Sequence, residues 1–216
     1  MDTVILIRHA ESEHHVRKLS GGWTDTPITE LGHEQAELAA RRLRAELGGV
    51  PVRLFSSDLR RTQDTASHIA RAFGVEPELD WRLREFNNGE AANLTRDEAN
   101  RRWPEAPGAW SPDHRQWPGG ETWREFHRRA GTFLDELEFD GRLPIVVTHG
   151  GTLDTLTARW LLFDEERVSH IGFATHVTGI TVLQKDELGH RRVERSNDIG
   201  HLSGQPGHVA LGAILA

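Results

Sequence analysis

The chain has 216 residues, no cysteine, and a formal net charge of −7 that is not concentrated in an acidic or basic block. The length suits one α/β domain with a sizeable core, the lack of cysteine excludes thiol nucleophiles, disulfides and thiolate metal sites, and the charge argues against nucleic acid or an anionic membrane as the main partner. No basic segment followed by an apolar one stands at the start, so we predict no secretory signal and a cytoplasmic location.

The first predicted element is a run of branched apolar residues, 4–7, that leads directly into Arg8 and His9. Such a run is typical of a fully buried strand in a parallel sheet. Ligands of open α/β sheets bind just outside the carboxyl ends of the strands, so Arg8 and His9 are expected where chemistry is done. On these two residues alone, a basic pair without a function is an equally good interpretation.

The next segment predicts a helix, a strand and a second helix. Thr29 is placed to cap the first helix, and Gly48 follows its last apolar residue. Residues 52–55 predict a buried strand, after which Asp58 is the expected N-cap of a helix closed by Gly74. Arginines again stand where a strand passes into a helix.

The middle of the chain predicts an insert or lid over residues 86–124. Thr95 begins a capping-box pattern for a short helix that Pro104 stops, and Thr122 begins another for a helix to about residue 138. Between them, residues 103–120 hold three tryptophans and four prolines, which favour an ordered loop with aromatic anchors. The alternative is that these tryptophans only attach the insert to the body of the protein.

The last third repeats the opening theme. The apolar residues 144–148 predict a strand that ends at His149, and Gly150 opens the helix after it. Residues 180–183 and 191–195 flank a turn and predict an antiparallel edge hairpin. Strands that alternate with helices predict an α/β fold, namely a three-layer α/β/α sandwich with a mostly parallel central sheet and an antiparallel edge, in one domain of residues 1–216.

Three strand ends are therefore expected at one edge of the sheet. Guanidinium groups, imidazoles and helix-start amides together make an anion pocket suited to a phosphate dianion. Imidazole is also a competent nucleophile, and neighbouring guanidinium groups would disperse the charge of a phosphoryl transition state. The residues that converge in this way are Arg8 with His9, Arg60 with Arg61, and His149 with Gly150.

These motifs, in this order, resemble those of the histidine phosphatase superfamily, which contains the phosphoglycerate mutases and the broad-specificity phosphatases. The opening block is similar to the family signature, with alanine in place of the usual glycine, and further blocks match along nearly the whole chain. They are Arg8-His9-Ala10-Glu11-Ser12, residues 22–32, residues 57–66, Leu83-Arg84-Glu85, residues 147–151 and residues 197–202.

The resemblance implies a role for each matching residue. His9 would attack phosphorus, while Arg8, Arg61 and His149 hold the non-bridging oxygens. Glu85 would protonate the leaving alkoxide and then activate water. The substrate-binding positions are completed by Gly22, Gly150 and His15, and no cofactor and no metal ion are expected.

The chain departs from the family pattern at the substrate side. His15 stands where an asparagine is frequent, Leu19 and Ser20 where mutases usually carry a substrate-binding arginine and its neighbour, and Phe86 where they usually carry an arginine. These changes weigh against phosphoglycerate as the substrate. His14 and His15 either contact substrate or merely line the loop, and a histidine metal site is disfavoured because no carboxylate falls at a familiar ligand spacing.

The sequence thus predicts a metal-independent phosphomonoester hydrolase with a phosphohistidine intermediate and a small-molecule substrate. Two alternatives stay open: a mutase that returns the phosphoryl group to its substrate, and a binding member of the fold without catalysis. We expect no nucleic acid or membrane partner, and a homodimer is one assembly left open.

Overall fold

A computed structural model describes residues 2–104, 111–168 and 171–203, with the side chains of 167 and 168 left out. Six strands form one sheet, and in chain order they are β1 Asp2–Arg8, β2 Val52–Ser56, β3 Glu78–Leu79, β4 Leu143–Thr148, β5 Ile180–Lys185 and β6 Arg191–Asp198. Their order across the sheet is β3-β2-β4-β1-β5-β6. The first four strands of that order are parallel to one another, and β5 and β6 form an antiparallel hairpin against β1.

Helices cover both faces of the sheet because side chains of each central strand alternate between two cores. In β1, Val4 and Leu6 pack with side chains of the helices Trp123–Asp135 and Gly150–Trp160, whereas Ile5 and Ile7 pack with those of the helices Glu30–Leu47 and Arg60–Phe73. The predicted three-layer α/β/α sandwich is confirmed. The helices are α1 Glu13–Val16, α2 Glu30–Leu47, α3 Arg60–Phe73, α4 Arg96–Arg102, α5 Trp123–Asp135, α6 Gly150–Trp160 and α7 Glu165–Val168, with 3₁₀ turns at Trp81–Leu83, Gly89–Ala91 and Gly200–Leu202.

Local capping signals place most helix ends correctly. The side chains of Thr29, Thr95 and Thr122 each accept a hydrogen bond from a backbone amide of the first helical turn, and Gly74 adopts the left-handed conformation that ends α3. Helix α5, however, ends at Asp135 and not near residue 138. There the amide of Glu136 bonds back to carbonyls of the last turn.

The predicted N-cap at Asp58 is wrong. Leu59 occupies the N-cap of α3, without a side-chain cap. The Asp58 carboxylate instead accepts two hydrogen bonds, each of 2.6 Å, from the guanidinium of Arg84. A bidentate, charge-assisted pair of this kind is stronger than a cap to a neutral amide, so the tertiary contact prevails over the local one.

Part of the predicted insert, residues 105–110, lies outside the described residues, as do residues 169–170 and 204–216. Within the described ranges, each helix is either too short or too polar to span a lipid bilayer.

Candidate active site

His9 and His149 meet because β1 and β4 are neighbouring parallel strands. The two strands run in register to the pair Arg8 and Thr148, and the backbone N–H of His9 then donates to the carbonyl of Thr148 at 2.8 Å. His9 directly follows the last residue of β1, and His149 directly follows the last residue of β4. Their ring centroids lie 5.2 Å apart. The sheet itself therefore fixes the distance between these histidines.

The ring of His9 is set up as a neutral base. Its Nδ1 lies 2.7 Å from the carbonyl oxygen of Ala10, which can only accept, so Nδ1 carries the hydrogen and Nε2 keeps its lone pair. Burial, followed by the positive charge of Arg61, holds the pKa of His9 well below its usual value. The residue is therefore unprotonated at neutral pH, as a nucleophile must be.

Arg61 is a guanidinium buried beside that lone pair. Its Nε donates to Nε2 of His9 at 3.2 Å, and its two terminal nitrogens donate to the carbonyls of Thr24 and Gly22 at 2.6 and 2.7 Å. Only 1% of Arg61 is exposed. Since a buried cation is tolerated only when its donors are satisfied, the loop of residues 22–24 is part of the site.

Arg8 approaches the same point from the end of β1. One terminal nitrogen donates to the carbonyl of Thr175 at 2.5 Å, and the other lies 3.1 Å from Nε2 of His15. Its Nε is buried and has no hydrogen-bond partner within the described part of the chain. Arg8 thus keeps one buried donor for a further acceptor.

His149 lies behind His9 and is completely buried. Its Nε2 is 3.0 Å from the hydroxyl of Ser57, while its Nδ1 has no partner among the residues described. The Ser57 oxygen accepts the N–H of Leu59 at 3.3 Å, and within the described residues its hydroxyl hydrogen has no acceptor other than Nε2 of His149. That arrangement puts the imidazole hydrogen on Nδ1 and leaves it as a donor.

Glu85 is held by the start of α6. One carboxylate oxygen accepts the N–H of Gly151 at 2.9 Å and the other accepts the N–H of Phe86 at 2.8 Å. The first turn of a helix favours a negative charge, so α6 fixes the carboxylate at its N-terminus. A Cβ at position 151 would lie 2.5 Å from a Glu85 oxygen, so glycine is the residue that fits there without displacing the Glu85 carboxylate.

His14 and His15 lie on α1, directly after the signature. Nδ1 of His14 is 2.7 Å from the Ser12 hydroxyl, and the backbone N–H of Ser12 donates to Nδ1 of His15 at 3.2 Å. Burial followed by neighbouring positive charge lowers the pKa of His14 to about 2 and of His15 to about 4. Both rings are neutral at physiological pH.

The three imidazoles of His9, His14 and His15 can each offer one nitrogen within 4.8 Å of the others. Three nitrogens at this spacing are close enough to bind one transition metal ion after small movements of the rings. The guanidinium groups of Arg8 and Arg61 contact two of these rings, however. Burial and this positive field together keep the rings unprotonated, and both also oppose the binding of a divalent cation. The arrangement suits an anion.

The site contains one cavity of about 430 Å³. Its lining residues include Arg8, His9, His15, Gly22, Arg61 and Glu85. Three arginines and a single carboxylate line it, so its potential is positive. It is much larger than a phosphate group needs. The site can therefore bind a phosphoryl group at one end and an organic group at the other.

The sequence from residue 4 to residue 199 matches the family model of the histidine phosphatase superfamily, branch 1. The chain belongs to the histidine phosphatase superfamily. Among curated proteins it is 38% identical over 173 residues to the protein named probable phosphoglycerate mutase GpmB of Yersinia pestis, a match that covers 73% of this chain and 74% of the relative.

Solved structures of this superfamily have the same fold. A mycobacterial glucosyl-3-phosphoglycerate phosphatase superposes with a TM-score of 0.75 at 27% identity, over 91% of this chain and 98% of that one. The α-ribazole phosphatase of Shigella flexneri superposes with a TM-score of 0.79 at 23% identity, over 91% and 96% of the two chains, and shows the fold alone.

Three predicted positions do not line this histidine phosphatase cavity. Arg60, the neighbour of Arg61, has a largely exposed side chain near Asp64 at 3.9 Å. Gly150 does not line the cavity, whereas Gly151 does, through the amide that holds Glu85. His149 is likewise not a lining residue, but its ring lies 5.2 Å from that of His9, and its Nδ1 has no partner among the described residues.

Sequence reasoning missed several residues that position the site. Ser57 orients His149, and Thr175 holds Arg8 through its carbonyl. Asn88 accepts the N–H of Trp23 at 2.9 Å, and the indole of Trp23 donates to the carbonyl of Glu85 at 2.8 Å, so the loop that holds Arg61 is tied to the loop that carries Glu85. Neither a period nor a cap signals such contacts, because they join distant parts of the chain.

A first prediction concerns Gly22. Its φ is +52°, and a Cβ there would lie 2.4 Å from the Asn88 side chain and 2.7 Å from the Phe86 carbonyl. Gly22→Ala should displace the loop, withdraw a carbonyl from Arg61 and weaken the binding of orthovanadate, a phosphate analogue, about tenfold in calorimetry.

The matched control is Gly74→Ala. Gly74 also has a positive φ of +69°, but nothing lies within 4 Å of its added Cβ, and the position is remote from the cavity. This variant should lose about 1 kcal/mol of stability from backbone strain and keep wild-type vanadate affinity. Equal affinity in the two variants would contradict the assigned role of the Gly22 loop.

A second prediction concerns Asp154 on α6. Burial raises its pKa to about 7, and its Oδ1 accepts the N–H of Phe173 at 3.2 Å. The native carboxyl keeps its proton up to about pH 7, whereas the unfolded one loses it near pH 4, so the native state binds more protons in between and its stability falls as the pH rises through that window.

Asp154→Asn keeps an acceptor for Phe173 and removes the titration. The difference in the free energy of unfolding, variant minus wild type, should therefore increase by about 2 kcal/mol between pH 4 and pH 8 in urea titrations. This is less than the full pKa shift implies, because the group is partly accessible to solvent. Asp97→Asn, on an exposed position of α4, measures the effect of removing a surface acid. A difference that does not change with pH would contradict the prediction.

Proposed function

We propose that this histidine phosphatase hydrolyses a small-molecule phosphomonoester through a phosphohistidine at His9, in the cytoplasm and without a metal ion. One observation carries the proposal: the lone pair of a neutral, buried His9 Nε2 lies 3.2 Å from a buried guanidinium, in a cavity that also contains Arg8 and Glu85. Nucleophile, charge stabiliser and acid thus share one enclosure.

The reaction has two steps. Nε2 of His9 attacks phosphorus, the ester P–O bond breaks, and protonated Glu85 gives its proton to the leaving alkoxide oxygen. A water molecule then attacks the phosphohistidine, passes a proton to the Glu85 carboxylate, and the P–N bond breaks with its electron pair returning to Nε2. Arg8, Arg61 and the donor on His149 would hold the phosphoryl oxygens in both steps.

The organic side of the cavity favours a hydrolase. The cavity is lined by Leu19, Ser20 and Phe86 at positions where mutases usually carry a substrate-binding arginine, the neighbour of that arginine, and a further arginine. This chain therefore has fewer positive charges to bind the carboxylate of phosphoglycerate. The similarity to a mycobacterial phosphatase, which was also solved in complex with VO3, supports the same choice.

A mutase is the second candidate because a relative that is 38% identical carries that name. The two reactions differ in the fate of the phosphoryl group. Net release of inorganic phosphate from an added monoester, measured together with the organic products, indicates the hydrolase, whereas an isomerised phosphoester without phosphate release indicates the mutase.

A third prediction tests the nucleophile. Quenching during turnover of an aryl phosphate in alkali, where phosphohistidine survives, should trap one phosphoryl group per chain by intact mass spectrometry, and His9→Ala should lose both the adduct and turnover. Trypsin leaves His9, His14 and His15 on one peptide between Arg8 and Arg17, so fragmentation must assign the site. An adduct that persists in His9→Ala, or no hydrolysis of any monoester by the wild type, would refute the proposal.

A fourth prediction tests the acid. An alkoxide leaving group needs a proton and a nitrophenolate does not, so Glu85→Gln should slow the first turnover of an alkyl phosphate about 100-fold and that of a nitrophenyl phosphate less than tenfold. With the aryl ester, rapid mixing should show a burst of one phenolate per chain followed by slow turnover, because hydrolysis of the intermediate also needs Glu85. Equal slowing of both first turnovers would exclude Glu85 as the acid.

A further inference from the structure

The cavity has an aromatic wall beyond its phosphate end. Phe86, Trp117 and Trp123 line it together with Leu19. The ring of Phe86 lies 5.3 Å from that of Trp123 at an angle of 33° and 6.3 Å from that of Trp117 at 70°. Phe86 and Trp123 are only half-buried, so they present apolar surface to whatever enters the cavity.

This wall is held in place from behind. Phe126 packs on Phe86 at 5.7 Å and on Trp123 at 5.8 Å, and His127 stacks on Trp123 at 5.6 Å. Trp123 is the first residue of α5, whose start is fixed by the capping box of Thr122. Aromatic side chains that need no rearrangement bind a ring at low entropic cost.

Arg96 adds a charge at the rim of the same cavity. It is the first residue of α4 and is exposed, and its guanidinium forms neither an ion pair nor a hydrogen bond with any residue of the described ranges. Arg8 and Arg61 already supply charge for the phosphoryl group. Arg96 is therefore an additional cation on the organic side, available to a second anion.

We propose that the substrate alcohol contains a ring, which packs on Phe86 and Trp123, and an anionic group, which pairs with Arg96. This inference rests on the proposed phosphomonoesterase function and specifies its substrate class. A volume of about 430 Å³ accommodates such an ester and is far larger than an acyclic monoester of a few atoms requires.

The test compares four primary alkyl phosphates: butyl phosphate, its 4-carboxylate, benzyl phosphate and its para-carboxylate. The kcat/KM values should rise with the ring and with the carboxylate, and should be highest for the ester that has both. Arg96→Gln should lower kcat/KM about fivefold more for the carboxylate esters than for their uncharged partners. Arg101→Gln, an exposed arginine of the same helix outside the cavity, should not change that ratio.

Phe86→Leu and Trp123→Leu should each lower kcat/KM about fivefold more for the benzyl esters than for the butyl esters. Because every comparison is a ratio within one variant, partial loss of folded protein cancels. Calorimetry of the four esters with His9→Ala gives the same preferences as binding constants, independently of catalysis.

The outcomes separate the two proposals. Hydrolysis of all four esters without a preference for ring or carboxylate would overturn the inference and leave the phosphatase standing. Ring and carboxylate preferences in binding to His9→Ala, combined with no phosphate release by the wild type, would support the subsite and refute the phosphatase. Preferences that survive unchanged in Arg96→Gln and in both aromatic variants would overturn the inference.

Discussion

The contact between Arg61 and His9 is the constraint on which the rest of the site depends. A guanidinium that is 1% exposed lies 3.2 Å from an imidazole nitrogen, and both groups are costly to bury alone. The cation is acceptable because two backbone carbonyls take its other donors, and the imidazole is acceptable because it stays neutral. Burial and the charge of Arg61 thus together keep the ring of His9 unprotonated.

Glycines allow the surrounding loops to meet these requirements. Gly22 turns its carbonyl toward Arg61 with a positive φ, in a space that a Cβ would share with Asn88. Gly151 lets Glu85 lie against the start of α6. The proposed catalytic groups come from four distant segments, and close approach of the backbone brings their polar atoms within hydrogen-bonding distance.

Much of the fold could be predicted from the sequence because the responsible signals are local. Apolar runs predicted the buried strands, and Thr29, Thr95 and Thr122 predicted helix starts, since a cap involves residues only three positions apart. Asp58 carried the same signal and was wrong because Arg84, 26 residues away, takes its carboxylate. The meeting of Arg8, His9 and Arg61 followed from parallel strand order, whereas the contacts of Ser57, Thr175 and Arg96 depend on side-chain positions that no local pattern records.

The proposed reaction requires Arg61 to exchange one acceptor for another. When the Nε2 lone pair of His9 forms a bond to phosphorus, it can no longer accept the Nε–H of Arg61, and that donor passes to a phosphoryl oxygen close by. The exchange replaces a neutral acceptor with an anionic one, so it becomes more favourable as negative charge develops on phosphorus. Since the carbonyls of Gly22 and Thr24 keep the guanidinium in place, this gain needs little reorganisation and belongs to the transition state more than to the free enzyme.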